Sequence, residues 1–170
     1  DTAQTKSIFS FNPTATGPYY WEDPMTLAFL TENGWKPGVA YQLQVNLDKA
    51  IKEVDPKMKK IVFDFMVQPV RMLVSFEPLV PEFSGDNPEY VLHGRVSTSI
   101  QIDSQRMEKA MMIKSSGKIG EVMWNHSDDG RTHEIMIPQI ATDSKREFRW
   151  DGVSLGSDVS GNKTIQIPKG

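Results

Sequence analysis

Period-two alternation over Met25–Leu47, MTLAFLTENGWKPGVAYQLQVNL, constrains this chain more than any other stretch. Leu27 and Phe29 alternate with smaller or polar residues, and Tyr41, Leu43, Val45 and Leu47 alternate with Gln42, Gln44 and Asn46. Successive side chains of a strand point to opposite faces, so each run predicts one half-buried strand. Between them, Glu32-Asn33-Gly34-Trp35-Lys36-Pro37-Gly38 reads as a turn. Gly34 and Gly38 can take positive φ, and Pro37 has no N–H for a ladder. Two strands joined this way predict the edge or corner of a β-sandwich rather than a catalytic loop.

The same period recurs in both directions. Ser7–Asn12, Tyr19–Trp21 and Lys59–Gln68 are predicted strands, and Leu47–Val54 is predicted to make one or two helical turns before Asp55-Pro56. Beyond Pro69, strands are expected at Val70–Leu79 and Tyr90–Ile102, with Gly94 suggesting a bulge in the second. Pro78, Pro81, Gly85 and Pro88 make Glu77–Glu89 read as an irregular connection. Asp103–Ile113 is the one helix, capped by Asp103 or Ser104, with Met107, Ala110 and Met111 on one face. Glu121–His126 and Thr132–Ile137 flank a hairpin turn, Arg146–Trp150 and Val153–Leu155 read as a second hairpin, and Lys163–Pro168 is a last strand.

The fold class expected is all-β, two tandem immunoglobulin-like β-sandwich modules, at 1–68 and 69–170, divided at Gln68-Pro69 where proline ends a ladder. Gly17-x-x-x-Trp21 followed by an acidic turn has a counterpart in Gly120-x-x-x-Trp124 followed by Asp128-Asp129-Gly130, which reads as one unit used twice. Trp21, Trp124 and Trp150 are expected to anchor the cores, and Pro69 to set the angle between modules. The first module is short for a sandwich of about seven strands, so either a strand upstream of Asp1 completes it, the favoured expectation, or it leans on the second module across Pro69.

Charge and cysteine content narrow the function. The net charge of −3 is shared, with acidic residues in excess in both halves, so no basic face for nucleic acid is expected. Cysteine is absent, which removes disulfides, thiolate zinc and Cys nucleophiles together. No apolar run is long enough to span a bilayer, and no basic-then-apolar leader opens the chain at Asp1-Thr2-Ala3-Gln4.

Candidate sites are few. His126, Asp128, Asp129 and His133 surround a hairpin and could converge on a metal, but Asp-Asp-Gly is ordinary turn chemistry, so no metal is assigned; as cross-strand partners the two histidines could simply pair on the solvent side. Asp158-x-Ser160-Gly161-Asn162 resembles part of a calcium loop without the bidentate Glu. Tyr19, Tyr20 and Trp35 form the one candidate ligand surface, as a stacking platform for a sugar ring. Met107, Met111 and Met112 read as helix packing. His93 sits mid-strand, and no nucleophile elbow, phosphate loop or dinucleotide fingerprint is present. No catalytic residue and no cofactor is assigned.

Larger patterns carry a family resemblance. Phe9-Ser10-Phe11-Asn12-Pro13, Gly17, Tyr20-Trp21-Glu22-Asp23, Thr26-Leu27-x-Phe29 and Lys36-Pro37-Gly38-x-x-Tyr41 resemble the bacterial Ig-like module of cell-envelope proteins. Val96, the 103–112 helix, Val122-x-Trp124, Gly130-Arg131-Thr132-His133, Trp150-Asp151-Gly152-x-x-x-Gly156 and Ile165-x-Ile167-Pro168 resemble the N-terminal, macroglobulin-type region of Bacteroidetes-type α2-macroglobulin-family proteins. The resemblance implies a non-catalytic scaffold and interaction fragment of a long exported protein, in the periplasm or on the surface of a Gram-negative bacterium. Its partners would be other domains of the same chain and, through the parent, proteases that the parent traps or inhibits. Any lipid anchor would belong to the parent, and the family's thioester cannot lie in a stretch without cysteine. Two other functions fit the residues: a surface adhesin or glycan-binding module using Tyr19, Tyr20 and Trp35, and a small hydrolase on a β-sandwich.

Overall fold

Alternation becomes register in the computed structural model, which describes residues 8–84, 87–115 and 121–169, and all their side chains except those of 83, 84, 87, 88 and 139. The opening residues 1–4, Ser7, Gly85 and Gly120 of the readings above lie outside the described residues. The chain is mostly β and divides into two compact units, 1–68 and 69–170.

The first unit contains β1 (Phe9–Asn12), β2 (Tyr19–Asp23), β3 (Thr26–Phe29), β4 (Ala40–Asn46), the single-turn α1 (Leu47–Ala50), a 3-10 turn at Pro56–Met58 and β5 (Lys60–Met66). Antiparallel β1-β4-β5 form one sheet, and β2-β3 form a two-stranded hairpin. The two runs of Met25–Leu47 therefore fall in different sheets, and the Pro37-Gly38 turn carries the chain from one to the other. Gly38 takes φ 74° there, and the Lys36 N–H donates to Tyr41 Oη at a long 3.4 Å. That contact ties the Tyr41 ring back to the turn just upstream of its own strand. The predicted helix stops after one turn, and Asp55 instead caps the 3-10 turn by accepting from Lys57 N–H at 2.8 Å, with Pro56 at its first position.

Many inward positions of these strands are aromatic. Phe9 meets Tyr19 at 5.4 Å between ring centroids, and Phe11 meets Phe29 at 4.6 Å, joining sheet to hairpin. Trp35 closes the cluster, 5.3 Å from Phe11, 5.1 Å from Tyr41 and 5.2 Å from Phe65. Each such pair contributes about 0.5–1.5 kcal/mol beyond the area it buries. Trp21 does not anchor this core as its pattern suggested. It is 53% exposed, on a hairpin that no third strand among the described residues flanks, and Trp35 holds the interior instead.

The second unit contains β6 (Met72–Phe76), β7 (Val80–Ser84), β8 (Asn87–Thr98), α2 (Ser104–Ala110), β9 (Met111–Ser115), β10 (Met123–His126), β11 (Thr132–Ile140), β12 (Lys145–Trp150), a 3-10 turn at Val153–Leu155 and β13 (Gly161–Gln166). A five-stranded sheet has the order β10-β11-β8-β6 with β7 also on β8, and β13-β12-β9 form a second sheet. Leu92, Val96, Ile135 and Ile137 from the first sheet and Phe148 from the second share one core with Met107 and Ala110 of α2. Trp124 and Trp150 are partly buried against it.

Several local readings are corrected. The segment 77–89 is not irregular throughout: Val80–Ser84 pairs with Asn87–Val91. Pro81 is tolerated because β7 pairs on one side only, so its missing N–H breaks no ladder. Gly94 makes no bulge. A Cβ there would stand 3.0 Å from the Phe76 ring, so glycine makes room for that ring, and the register shift falls between Ile137 and Ile140, around Pro138. Asp103, not Ser104, caps α2, accepting from Arg106 N–H at 3.1 Å. The helix ends at Ala110, because Met111 pairs with Trp150 as the first residue of β9. Val153–Leu155 is not a strand: Asp151 accepts from Ser154 N–H at 3.2 Å and closes a 3-10 turn, leaving β12 to pair with β13.

Candidate functional site

The β10-β11 hairpin positions the densest group of polar side chains. Gly130 takes φ 61° in its turn. Ser127 Oγ donates to Asp129 Oδ1 at 2.6 Å and accepts from Thr132 N–H at 2.9 Å, and Arg131 N–H donates to the same carboxylate oxygen at 3.0 Å. The Ser127 hydroxyl above all, then the Arg131 amide, holds the Asp129 carboxyl below the usual range. Asp129 is thereby committed to the turn. Asp128 is exposed.

This turn sets the register that makes His126 and His133 cross-strand partners. On β11, His133, Ile135 and Ile137 are buried, while Arg95, Asn125 and Glu134 gather on the opposite face. The histidine pair is therefore on the core side, not the solvent side. His126 Nδ1 lies 2.7 Å from His133 Nδ1, His126 Nε2 lies 3.0 Å from Glu108 Oε1 of α2, and His133 Nε2 lies 3.1 Å from the Gly130 carbonyl oxygen. Burial first, and then the neighbouring His126, lowers the His133 pKa, against the opposing pull of Gly130 and Asp129. The His126 ring stacks on Trp124 at 5.5 Å and 9°.

Of the four residues the sequence gathered around this hairpin, the fold brings two together and adds Glu108. Nothing local marks Glu108, because its contact with His126 crosses from helix to sheet. Among the described residues, no group of three His, Asp or Glu side chains is placed to hold a metal ion. The three contacts form a hydrogen-bonded relay, which can share and move protons.

On the other face of the sheet, Glu134 accepts from Arg95 Nη2 at 2.8 Å and from Asn125 Nδ2 at 3.2 Å. Arg95 first, then Asn125, keeps its carboxyl below the usual range. With His93 they border a shallow recess of about 270 Å³. Arg95, Asn125 and Glu134 in it are already paired with one another.

The stacking platform is not assembled as one surface. Tyr19 packs inward on Phe9, where burial raises its phenol pKa, and Trp35 lies within the aromatic cluster. Tyr20 points the other way and is 51% exposed, beside the exposed Trp21. In the Asp158–Asn162 stretch, Gly161 begins β13 and gives room to Trp150, whose ring would stand 2.4 Å from a Cβ.

No family model matches the chain, and no curated protein and no solved structure matches it either. The class that fold and site define is an all-β protein of two units, the second carrying a histidine pair, His133 buried and His126 partly exposed, tied to a helix. No helix among the described residues is long and apolar enough to cross a membrane.

Proposed function

We propose that this chain is a non-catalytic scaffold and interaction segment of a bacterial α2-macroglobulin-like cell-envelope protein, in which protease trapping belongs to the longer parent. The observation that carries the reading is the Lys36-Pro37-Gly38-x-x-Tyr41 turn. The residues that bear the resemblance bring the Lys36 N–H to Tyr41 Oη, in the turn that leads from the β2-β3 hairpin into the β1-β4-β5 sheet, which supports the reading. Further support comes from the polar clusters. Asp129 is held by its own turn and Glu134 by Arg95 and Asn125, and the two histidines are bonded to each other. Such groups stabilise a fold and are not poised to attack a substrate.

Protease trapping provides the test. The parent protein, incubated with an active protease and passed over a sizing column, should carry the protease with it. The 170-residue chain should leave protease activity unchanged. Hydrolysis or inhibition by the short chain itself would overturn the reading.

Tyr20 and Trp21 favour a second reading, a surface glycan-binding module, because both leave about half their area exposed on one hairpin. A glycan array with the Trp21→Ala variant as control separates the two readings.

A further inference from the structure

Three end-to-end contacts cross the second unit, and each needs one proton. The Gly130 carbonyl oxygen only accepts, so the proton 3.1 Å away belongs to His133 Nε2. His133 Nδ1 then offers a lone pair, and His126 Nδ1 must donate across the 2.7 Å between them. His126 Nε2 faces Glu108 Oε1 at 3.0 Å, and an ionised carboxylate also only accepts, so this contact requires a third proton. With three protons the relay is one imidazolium, one neutral imidazole and one carboxylate, without net charge. Remove one, and a lone pair on His126 faces a carboxylate. Add one, and two N–H groups collide between the rings.

We propose that the Glu108–His126–His133–Gly130 relay is a pH-gated latch that holds α2 on the β10-β11 hairpin while it contains three protons and loosens the helix when it gains a fourth or loses the third.

The surroundings fit a latch closed near neutral pH. Glu108 faces the pair from α2, and Asp129 faces His133 from the turn. From β8, the register partner of His133 is the apolar Val96. Trp124 stacks on His126 from the same strand. The fourth proton would have to enter at His133, which is fully buried beside an imidazolium. Burial and that neighbour both oppose its entry, so the latch opens only below the ordinary histidine range. Met107 and Ala110 remain in the core when it opens, so α2 is loosened and not expelled.

Glu108→Gln separates the two arms. The Gln amide can donate to the lone pair of a neutral His126, which keeps all three contacts with one proton fewer. The experiment is imidazole 15N NMR together with amide hydrogen exchange at Met107–Met111, on the whole chain from about pH 5 to about pH 9. In the wild type, His133 should be the neutral Nε2–H tautomer at pH 7, and exchange protection corrected for intrinsic rates should peak near neutrality. Glu108 is 46% exposed, so each limb should fall by about threefold to tenfold. Glu108→Gln should lose the alkaline limb and keep the acid one. An Nδ1–H tautomer or an imidazolium at His133 at pH 7, flat protection across the range, or a Glu108→Gln profile equal to the wild type would each overturn the latch. The tautomer reading needs no variant, so it stands even if Glu108→Gln fails to fold.

Discussion

The rings of Phe76 and Phe148 meet at 4.4 Å between centroids, and this contact ties the five-stranded sheet of the second unit to its three-stranded one. Phe148 is fully buried, while Phe76 lies close against Gly94, where a Cβ would stand 3.0 Å from its ring. Phe148→Ala should therefore cost about 3–5 kcal/mol, as loss of a buried ring does when the cavity cannot collapse. Urea denaturation followed in the second unit checks it, and a loss under about 1 kcal/mol would mean that the two sheets do not pack through this ring.

Gly94→Ala should destabilise the same unit by about 1–3 kcal/mol through overpacking. Because the clash is with the Phe76 ring, adding Phe76→Leu should recover part of that loss. A double-mutant cycle reads the coupling, and strict additivity would contradict the contact.

In the first unit, the two tryptophans should behave oppositely. Trp35 is enclosed by Phe11, Tyr41 and Phe65, so Trp35→Ala should cost at least about 3 kcal/mol. Trp21 is half exposed, and its replacement by Ala should change stability by only about 0.5 kcal/mol. Thermal melts of the two variants decide between this order and its reverse.

Stability should also depend on pH through His133. Its folded pKa lies below the ordinary 6.5, so the folded chain binds fewer protons than the unfolded one between the two values. The contribution is complete above about pH 6.5 and is lost as pH falls through the lower folded value. The urea midpoint should be lower near pH 5 than near pH 7.5, and the difference should shrink in His133→Gln. Asp129 and Glu134, both lowered, remain ionised near pH 5 and do not contribute to it.

How far the sequence reached follows from the range of each interaction. Strands β4, β5, β8 and β11 were legible because period-two alternation is local and survives any pairing. Strand β7 was not, since Pro81 argues against a strand unless one knows that it pairs on one side only. Gly94 looked like a bulge because the ring that needs the space belongs to another strand. Asp128 and Asp129 were rightly legible as turn residues. The Glu108–His126 contact left no trace in the sequence, because its partners are brought together only by the packing of α2 on the hairpin. Trp21 and Trp35 were exchanged in role, because aromatic content alone does not say which ring has neighbours on all sides.

The most direct test of the scaffold reading is the size and location of the natural gene product. An antibody raised against the exposed β2-β3 hairpin, used on fractionated cells, should detect a band many times heavier than 19.2 kDa in the envelope fraction. A band near 19.2 kDa, or one confined to the cytosol, would contradict it.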